Sequence, residues 1–300
     1  MTQPRPSAIA FLGLGLVGGS IVRALRAGST ESPPDPALRI KAWSPGGRGP
    51  HAAAAQRLID EAAASPEEAI DGADLVVLAA PPIETIALVD RLGGDLRSAL
   101  GSATVVTDVC STKAAVVRAA ERARIRFVGG HPMAGRETAG FDASSADLFL
   151  DRPWIVVRGQ GSSDEDTAMV RWLATACGAR PLELDATTHD SAVAAISHLP
   201  LIASAALVEA VARGDDSDWR LQRSLAASGW EGMTRLARGD ARMGAGIAAT
   251  NAEALAGMLG RYRDVIEDWI LALEAAERDA AALERRLEAA RARLVDSPLD

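Results

Sequence analysis

The pattern of hydrophobic and polar positions divides the chain into two parts. From Ala8 to about Leu184, short apolar runs rich in β-branched residues alternate with alanine-rich helical stretches, which is typical of βαβ units around a parallel sheet. From about Asp185 onward the strand pattern ends, and the helix formers Ala, Leu, Glu and Arg dominate. The sequence therefore predicts an α/β fold, with a parallel-sheet domain at 1–184 followed by an all-helical domain at 185–300.

The apolar runs of the first part predict six strands, each bounded by polar or turn-forming residues. These strands are Ala8–Leu12, Leu38–Trp43, Asp74–Ala79, Thr104–Asp108, Arg126–Gly129 and Trp154–Val157. The segment Ser29–Pro36, between the first two strands, is rich in proline and predicts a surface loop.

The helical part contains one apolar stripe. Its members recur every three or four residues, which predicts a helix with a single apolar face. They are Leu255, Leu259, Tyr262, Ile266, Trp269 and Leu273. Such a face is typical of packing within the chain or of a dimer surface, and the sequence leaves both open.

Composition and charge narrow the function classes. With 48% hydrophobic residues, the 300-residue chain can bury a core in each part. A net charge of -8 without a basic block argues against nucleic acid or an anionic membrane as partner, while a small anionic substrate remains compatible. The sequence shows no secretory pattern and no run of eighteen apolar residues, so we expect a cytoplasmic protein. Cys110 and Cys177 have no metal-ligand or disulfide spacing, which fits a reducing compartment and predicts no metal site.

A Gly-x-Gly-x-x-Gly motif directly follows the first predicted strand and opens a helix. Gly13 permits the tight turn, Gly15 lets a pyrophosphate approach the backbone, and Gly18 allows the helix to pack closely on the strand. Leu16 and Val17 complete the loop, so the phosphates are expected at the positive end of this helix. The motif predicts a Rossmann-type dinucleotide-binding domain.

The end of the second predicted strand bears on the choice of cofactor. An acidic residue there would accept hydrogen bonds from the ribose 2′-hydroxyl of NAD. Here the strand ends in Trp43 and is followed by Ser44, with Arg48 four residues later. A serine and an arginine suit the 2′-phosphate better, so NADP is predicted over NAD. Arg48 as an unengaged surface cation is the alternative.

Four short polar or glycine-rich motifs occur along the chain. They are Gly-Leu-Gly-Leu-Val-Gly-Gly-Ser at 13–20, Thr-Asp-Val-Cys-Ser-Thr-Lys at 107–113, His-Pro-Met-Ala-Gly at 131–135 and Ser-His-Leu-Pro at 197–200. Together and in this order, they resemble the prephenate/arogenate dehydrogenase family, over residues 8 to about 270. The resemblance implies an oxidoreductase of tyrosine biosynthesis that uses NAD(P) to decarboxylate arogenate or prephenate oxidatively.

The resemblance assigns roles to the residues of these motifs. A base must take the proton of the substrate hydroxyl while hydride leaves, and a neutral imidazole suits that role, so His131 is the candidate. Ser111 is expected to support His131 beside the nicotinamide, although it is also placed to cap the helix that follows. Lys113 is expected in the first turn of that helix, where it meets a substrate anion or is simply solvated.

Substrate contacts are expected from the helical part. The ring carboxylate needs a bidentate cation, and the Thr-Arg pair of the family corresponds to Thr234 and Arg235. Ser197 and His198 are expected to form the cleft wall opposite the cofactor, with a buried helix histidine as the alternative for His198. Glu137 binds the substrate side chain or balances an arginine. The resemblance also implies a homodimer formed through the helical domain.

Two positions depart from the prephenate-using members of the family. Leu201 stands where many of them have a further histidine after Ser-His-Leu-Pro, and Gly244 follows Met243 where some have tryptophan. Both differences resemble arogenate-using, NADP-linked relatives of the cyanobacterial type.

Two other functions are compatible with a glycine motif followed by helices. A β-hydroxyacid dehydrogenase would be expected to carry a catalytic lysine in the helical part, but no lysine follows Lys113. A non-catalytic dinucleotide sensor would be expected to have lost polar site residues, but Ser111, His131 and Arg235 are all present.

Overall fold

The computed structural model describes residues 4–28, 33–136, 138–275 and 279–295. By their internal contacts the residues group into two compact units, Met1–Leu255 and Ala256–Asp300. The domain border at residue 184 stays a prediction.

The strands of the described residues form one sheet. They are β1 (Ala8–Leu12), β2 (Arg39–Trp43), β3 (Glu61–Ala62), β4 (Leu75–Leu78), β5 (Val105–Asp108), β6 (Phe127–Pro132), β7 (Pro153–Arg158) and β8 (Arg180–Glu183). Their order in the sheet is β3-β2-β1-β4-β5-β6-β7-β8, and all neighbours are parallel except β6 and β7. This mostly parallel sheet confirms the predicted fold class.

The helices lie between the strands in the first part and follow one another in the second. The first group is α1 (Leu16–Ala27), α2 (Arg48–Ala55), α3 (Pro66–Ile70), α4 (Pro82–Gly93), α5 (Ala114–Ala123) and α6 (Asp164–Ala176). The second is α7 (Ala186–Val193), α8 (Leu199–Val211), α9 (Asp216–Ser224), α10 (Ser228–Thr234), α11 (Ala241–Thr250), α12 (Ala252–Glu274) and α13 (Ala280–Val295). The predicted all-helical second part is therefore confirmed for its described residues.

All six predicted strands are present, with ends shifted by no more than three residues. The sequence did not predict β3 or β8. The strand β3 has only two residues, too few for an apolar pattern. The strand β8 reads Arg-Pro-Leu-Glu, and its proline is tolerated because β8 pairs with one neighbour only, at the edge of the sheet.

The central strands are buried on both faces. In β1, Ile9 and Phe11 belong to the core on one face, while Ala10 and Leu12 belong to the core on the other. All four residues of β4, Leu75–Leu78, are buried. Helices cover both faces, so these strands are unbroken apolar runs rather than alternating ones. The carboxyl ends of β1, β4 and β5 then meet at one edge of the sheet, where open α/β folds bind ligands.

Two predicted surface features have partial outcomes. The described part of the proline-rich loop, Pro33 to Pro36, is exposed, and Ser29 to Ser32 lie outside the described residues. Along α12, Leu255 is buried, but Tyr262, Ile266 and Leu273 are 40–51% exposed. Three of the six residues of the predicted stripe are therefore exposed in a single chain.

The continuous helical stretch Ala186–Val211 joins α7, one π-helical turn and α8. It is long and apolar enough, by length and composition, to cross a membrane. However, His189, Asp190 and His198 within it are buried and hydrogen-bonded to other elements of the protein. Ionisable residues are costly inside a bilayer, so the stretch is better explained as a helix of this fold.

Candidate active site

Two glycines of the first loop are required by sterics. Gly13 has a φ of +100°, and a Cβ on it would lie 2.4 Å from the carbonyl oxygen of Ala79. A Cβ on Gly18 would lie 2.9 Å from the carbonyl oxygen of Gly13. Because neither residue has a side chain, the turn and α1 can lie close to the ends of β1 and β4, as the motif predicted.

Gly15 has the opposite environment. A Cβ at this position would meet nothing within 4 Å, so the backbone here faces open space. Gly15 is the N-cap of α1 and provides no side chain to cap it, and Leu16 and Val17 form the half-buried first turn. A free helix N-terminus beside an uncovered glycine fits the phosphates of a dinucleotide.

The segment after β2 lies next to this loop, because Trp43 pairs with Leu12 at the end of β1. Ser44 is half-buried, and its carbonyl oxygen accepts a hydrogen bond of 2.9 Å from the amide of Gly47. Arg48 begins α2 and is exposed. No carboxylate occurs between Trp43 and Arg48.

His131 lies on β6 and belongs to a buried hydrogen-bonded chain. Its Nδ1 is 2.8 Å from Nε2 of His189 on α7, and Nδ1 of His189 is 2.8 Å from Oδ1 of Asp190. The two imidazole rings meet edge to face. The chain therefore links a strand of the sheet to the first helix of the second part.

The surroundings of His131 favour its neutral form. Burial, followed by the nearby His189, Lys113 and His198, holds the pKa of His131 well below its ordinary value. An imidazole in this environment is unprotonated near neutral pH and so can accept a proton.

Asp190 caps the helix that follows the Thr107–Lys113 motif. Its carboxylate accepts hydrogen bonds from the amides of Lys113 at 2.7 Å and Ala114 at 2.9 Å. Burial alone would raise the pKa of the Asp190 carboxyl. The hydrogen bonds from His189 and from these two amides nevertheless hold this pKa below its usual value. The expectation that Ser111 caps this helix is wrong, because the cap comes from another element.

Lys113 is fully buried, and its ammonium group forms an ion pair with the fully buried Asp108. The other carboxylate oxygen of Asp108 accepts a hydrogen bond of 3.1 Å from the amide of Gly130. The expectation of a solvated Lys113 is wrong. Its ammonium faces Asp108 rather than an open cleft, so its influence on the site is through charge.

His198 is also buried, in the π-helical turn before α8. Its Nδ1 is 3.1 Å from the side-chain amide nitrogen of Asn251, which also donates to the carbonyl oxygen of Asp190 at 2.8 Å. Burial is the main cause that lowers the pKa of His198 to about 4, and the nearby His189 lowers this pKa further. The Asp190 carboxylate and the backbone of Ser111 act in the opposite direction. Among the described residues, Nε2 of His198 has no hydrogen-bond partner.

The other predicted substrate contacts are more exposed. Arg235 directly follows α10 and is exposed, whereas Thr234 beside it is buried and donates its hydroxyl to the carbonyl oxygen of Trp230 at 2.8 Å. Ser197 is exposed in the π-helical turn. Glu137 lies outside the described residues.

The two positions that depart from prephenate-using members are neighbours in space. A Cβ on Gly244 would lie 3.6 Å from Cδ2 of Leu201. A histidine at the first position and a tryptophan at the second would therefore change the same small region between α8 and α11.

His189, Asp190 and Asn251 belong to this buried cluster but were not predicted from the sequence. His189 and Asp190 are adjacent polar residues near the start of a helix, a position where side chains often cap backbone amides. In fact Asp185 caps α7, accepting from the amide of Thr188 at 2.9 Å. Between Ala186 and Val208 the only ionisable residues are His189, Asp190 and His198, and this is the signal that could have identified the first two.

Comparisons with known proteins agree over most of the chain. The family model for the prephenate dehydrogenase nucleotide-binding domain matches residues 48–183, and the model for the prephenate dehydrogenase dimerization domain matches residues 185–288. The prephenate dehydrogenase of Bacillus subtilis (strain 168) is 29% identical over 265 residues, which are 87% of this chain and 67% of that protein. A second relative, the prephenate dehydrogenase of Lactococcus lactis subsp. cremoris, is 29% identical, and the match spans only 58% of its length.

Solved structures give the same result. The crystal structure of Synechocystis arogenate dehydrogenase is similar with a TM-score of 0.76 and 28% identity, over 95% of this chain and 98% of that one. The prephenate dehydrogenase from A. aeolicus, in complex with hydroxyphenyl propionate and NAD+, is similar with a TM-score of 0.82 over 98% of both chains. At 23% identity the second similarity establishes the fold alone.

The buried ion pair allows a prediction about stability. The variant Lys113→Met leaves the Asp108 carboxylate buried without its cation and should lower the free energy of unfolding by about 3–5 kcal/mol. The double variant that adds Asp108→Asn should recover part of this loss, because no unpaired charge remains. Urea unfolding of the two variants and the parent measures both. A loss below about 1 kcal/mol in Lys113→Met would contradict the importance of the pair.

Proposed function

The chain belongs to the prephenate/arogenate dehydrogenase family, and we propose that it catalyses the NAD(P)-dependent oxidative decarboxylation of arogenate, prephenate or both. The observation that carries the proposal is a buried histidine on a sheet strand, hydrogen-bonded to His189 and with its pKa lowered by burial, in a domain with an open glycine loop. The products would be tyrosine from arogenate and 4-hydroxyphenylpyruvate from prephenate.

The reaction separates hydride and proton removal between two partners. The substrate is a cyclohexadienol with a hydroxyl on one ring carbon and a carboxylate across the ring. A nicotinamide held at the glycine loop would supply the acceptor for the hydride of the hydroxyl-bearing carbon. His131 takes the hydroxyl proton, and the resulting ring loses carbon dioxide and becomes aromatic. His131 is suited to this step because its neutral form predominates near neutral pH.

The remaining residues of the site have binding roles in this proposal. Arg235 holds the ring carboxylate through its guanidinium group. Ser197 and His198 form the opposite wall. Ser111 supports His131 and the nicotinamide, and Glu137 is kept as a contact to the substrate side chain.

We propose NADP as the preferred cofactor. Gly13, Gly15 and Gly18 would hold its pyrophosphate, and Ser44 with the exposed Arg48 would hold the 2′-phosphate. The absence of a carboxylate between Trp43 and Arg48 supports this choice over NAD.

We propose arogenate as the preferred substrate. Leu201 and Gly244 leave an apolar region where prephenate-using members have bulkier or polar residues, and the two positions lie against each other. Discrimination between an amino and a keto side chain can depend on such a local difference.

We also propose a homodimer. The dimerization-domain model covers residues 185–288, and the exposed stripe of α12 falls within that range. An apolar helix face left uncovered in one chain is typical of a surface buried by association.

Turnover with four pairs of reactants tests the activity. Arogenate and prephenate, each with NADP and with NAD, are compared by following nicotinamide reduction, and arogenate with NADP should be fastest. The variant His131→Ala should lower kcat by about 10²–10⁴-fold, because the general base is lost. His51→Ala, the same change at an exposed histidine, is the control and should leave kcat unchanged. No turnover with any pair would contradict the proposed function.

The pH dependence of the same reaction follows from the direction of the pKa shift. Because the pKa of His131 is lowered, the base stays unprotonated when the pH falls through the ordinary histidine value of about 6.5. The acid limb of the kcat profile should therefore lie below pH 6.5. An acid limb at or above that value would contradict His131 as the group that titrates.

Gly15 provides a test of cofactor binding. In Gly15→Ala the added methyl group meets no protein atom, so the melting temperature should change little. The methyl group does, however, occupy the space assigned to the pyrophosphate. The Kd for NADP, measured by calorimetry, should rise at least about tenfold. Gly257→Ala, another glycine with open space around its Cβ position, is the matched control. An unchanged Kd in Gly15→Ala would show that the phosphates bind elsewhere.

The dimer is tested by sedimentation. The parent protein should sediment as a dimer at micromolar concentration, and Ile266→Asp should shift it towards monomer because a charge then enters the apolar interface. Asp268→Lys reverses a charge on the other side of α12 and should leave the dimer intact. Dimers that persist in Ile266→Asp would place the interface on another surface.

A further inference from the structure

The buried chain of His131, His189 and Asp190 has a fixed direction of hydrogen bonding. The role that follows from it rests on the proposed function, in which His131 is the base. We propose that His189 and Asp190 are positioning residues that hold the proton of neutral His131 on Nδ1, which leaves the lone pair of Nε2 free for the substrate hydroxyl.

The direction begins at Asp190. Its carboxylate is ionised and can only accept hydrogen bonds. Three donors point at it, namely the amides of Lys113 and Ala114 and, at 2.8 Å from Oδ1, Nδ1 of His189. The bond from His189 therefore requires a proton on its Nδ1.

The next bond follows from the chemistry of neutral imidazole, in which one nitrogen donates and the other accepts. With its proton on Nδ1, His189 has an acceptor at Nε2. This atom is 2.8 Å from Nδ1 of His131, so Nδ1 of His131 has to be the donor. Nε2 of His131 is then the unprotonated nitrogen, which is the form that a general base needs.

The groups around the hydrogen-bonded chain of His131, His189 and Asp190 favour this arrangement. Asn251 donates to the backbone carbonyl oxygen of Asp190 and ties α7 to the end of α11. Lys113, paired with Asp108, is the nearby cation that disfavours a positive charge on His131. Burial of both histidines excludes the water that would otherwise exchange with these hydrogen bonds.

The arrangement also gives the accepted proton a place to go. When the hydroxyl proton binds to Nε2 of His131, the Nδ1 proton of that ring can move to Nε2 of His189. The positive charge then lies on His189 beside the Asp190 carboxylate, which stabilises it. Each nitrogen gains or loses one proton, and no further reactant is needed.

Because the protein contains only four histidines, their side-chain ¹⁵N signals can be separated by NMR. In the parent protein without substrate, the His131 signal should show a proton on Nδ1 and none on Nε2. The exposed His51, whose Nδ1 is 2.6 Å from the carbonyl oxygen of Gly47, should show a proton on Nδ1 and serves as the internal standard. A His131 with its proton on Nε2 would overturn the proposal, whatever the enzyme turns over.

Two substitutions at His189 separate positioning from folding. His189→Leu removes the acceptor, so the His131 proton should redistribute to Nε2 and kcat should fall by about 10²-fold or more, while KM changes less than about threefold. His189→Gln provides an amide oxygen near the former Nε2, so it should keep the proton on Nδ1 and recover at least about tenfold of the lost kcat.

Ser191→Leu places the same side chain at an exposed position of α7 and should behave as the parent. If His189→Leu keeps the kcat of the parent, or if His189→Gln is as slow as His189→Leu with the proton still on Nδ1, the positioning role is wrong. If the parent turns over none of the four reactant pairs, the proposed function fails while the NMR result still decides the direction of the hydrogen bonds.

Discussion

The carboxylate of Asp190 is the interaction on which the arrangement of the site depends. It is buried, and an unpaired buried charge would be costly, so its oxygens have to meet donors. The carboxylate accepts hydrogen bonds from the first amides of α5 and from the ring of His189, which lies beside Asp190 in α7. The start of α5, the helix α7 and, through His189, the strand β6 are thereby held together around one charge.

Six of the eight strands could be predicted from the sequence because each is a short apolar run. The glycine loop could be predicted because its spacing is a steric requirement. Gly13 and Gly18 illustrate this, since a Cβ on either would collide with backbone atoms. The edge strand β8 could not, because a strand with one neighbour does not need an apolar pattern. Local sequence thus predicts what local sterics and burial determine.

The candidate base could be identified from its motif, but its partners could not. His131 and His189 are 58 positions apart, and only the folded chain brings their nitrogens within hydrogen-bond distance. The burial of Lys113 was not predicted either, although its partner Asp108 is only five positions away, because the burial of a charged side chain at a strand end depends on the elements that cover it. Long-range contacts between polar groups carry little periodic signal, so their prediction requires the tertiary structure.

If the protein dimerises through the exposed stripe of α12, as proposed, its folding and its association are linked. Burial of this apolar surface against a second copy is favourable, and a partner that binds only the folded chain stabilises the folded state by mass action. The apparent thermal stability of this protein then depends on its concentration in the cell. A lower expression level, without any change of sequence, would weaken the fold as well as dilute the enzyme.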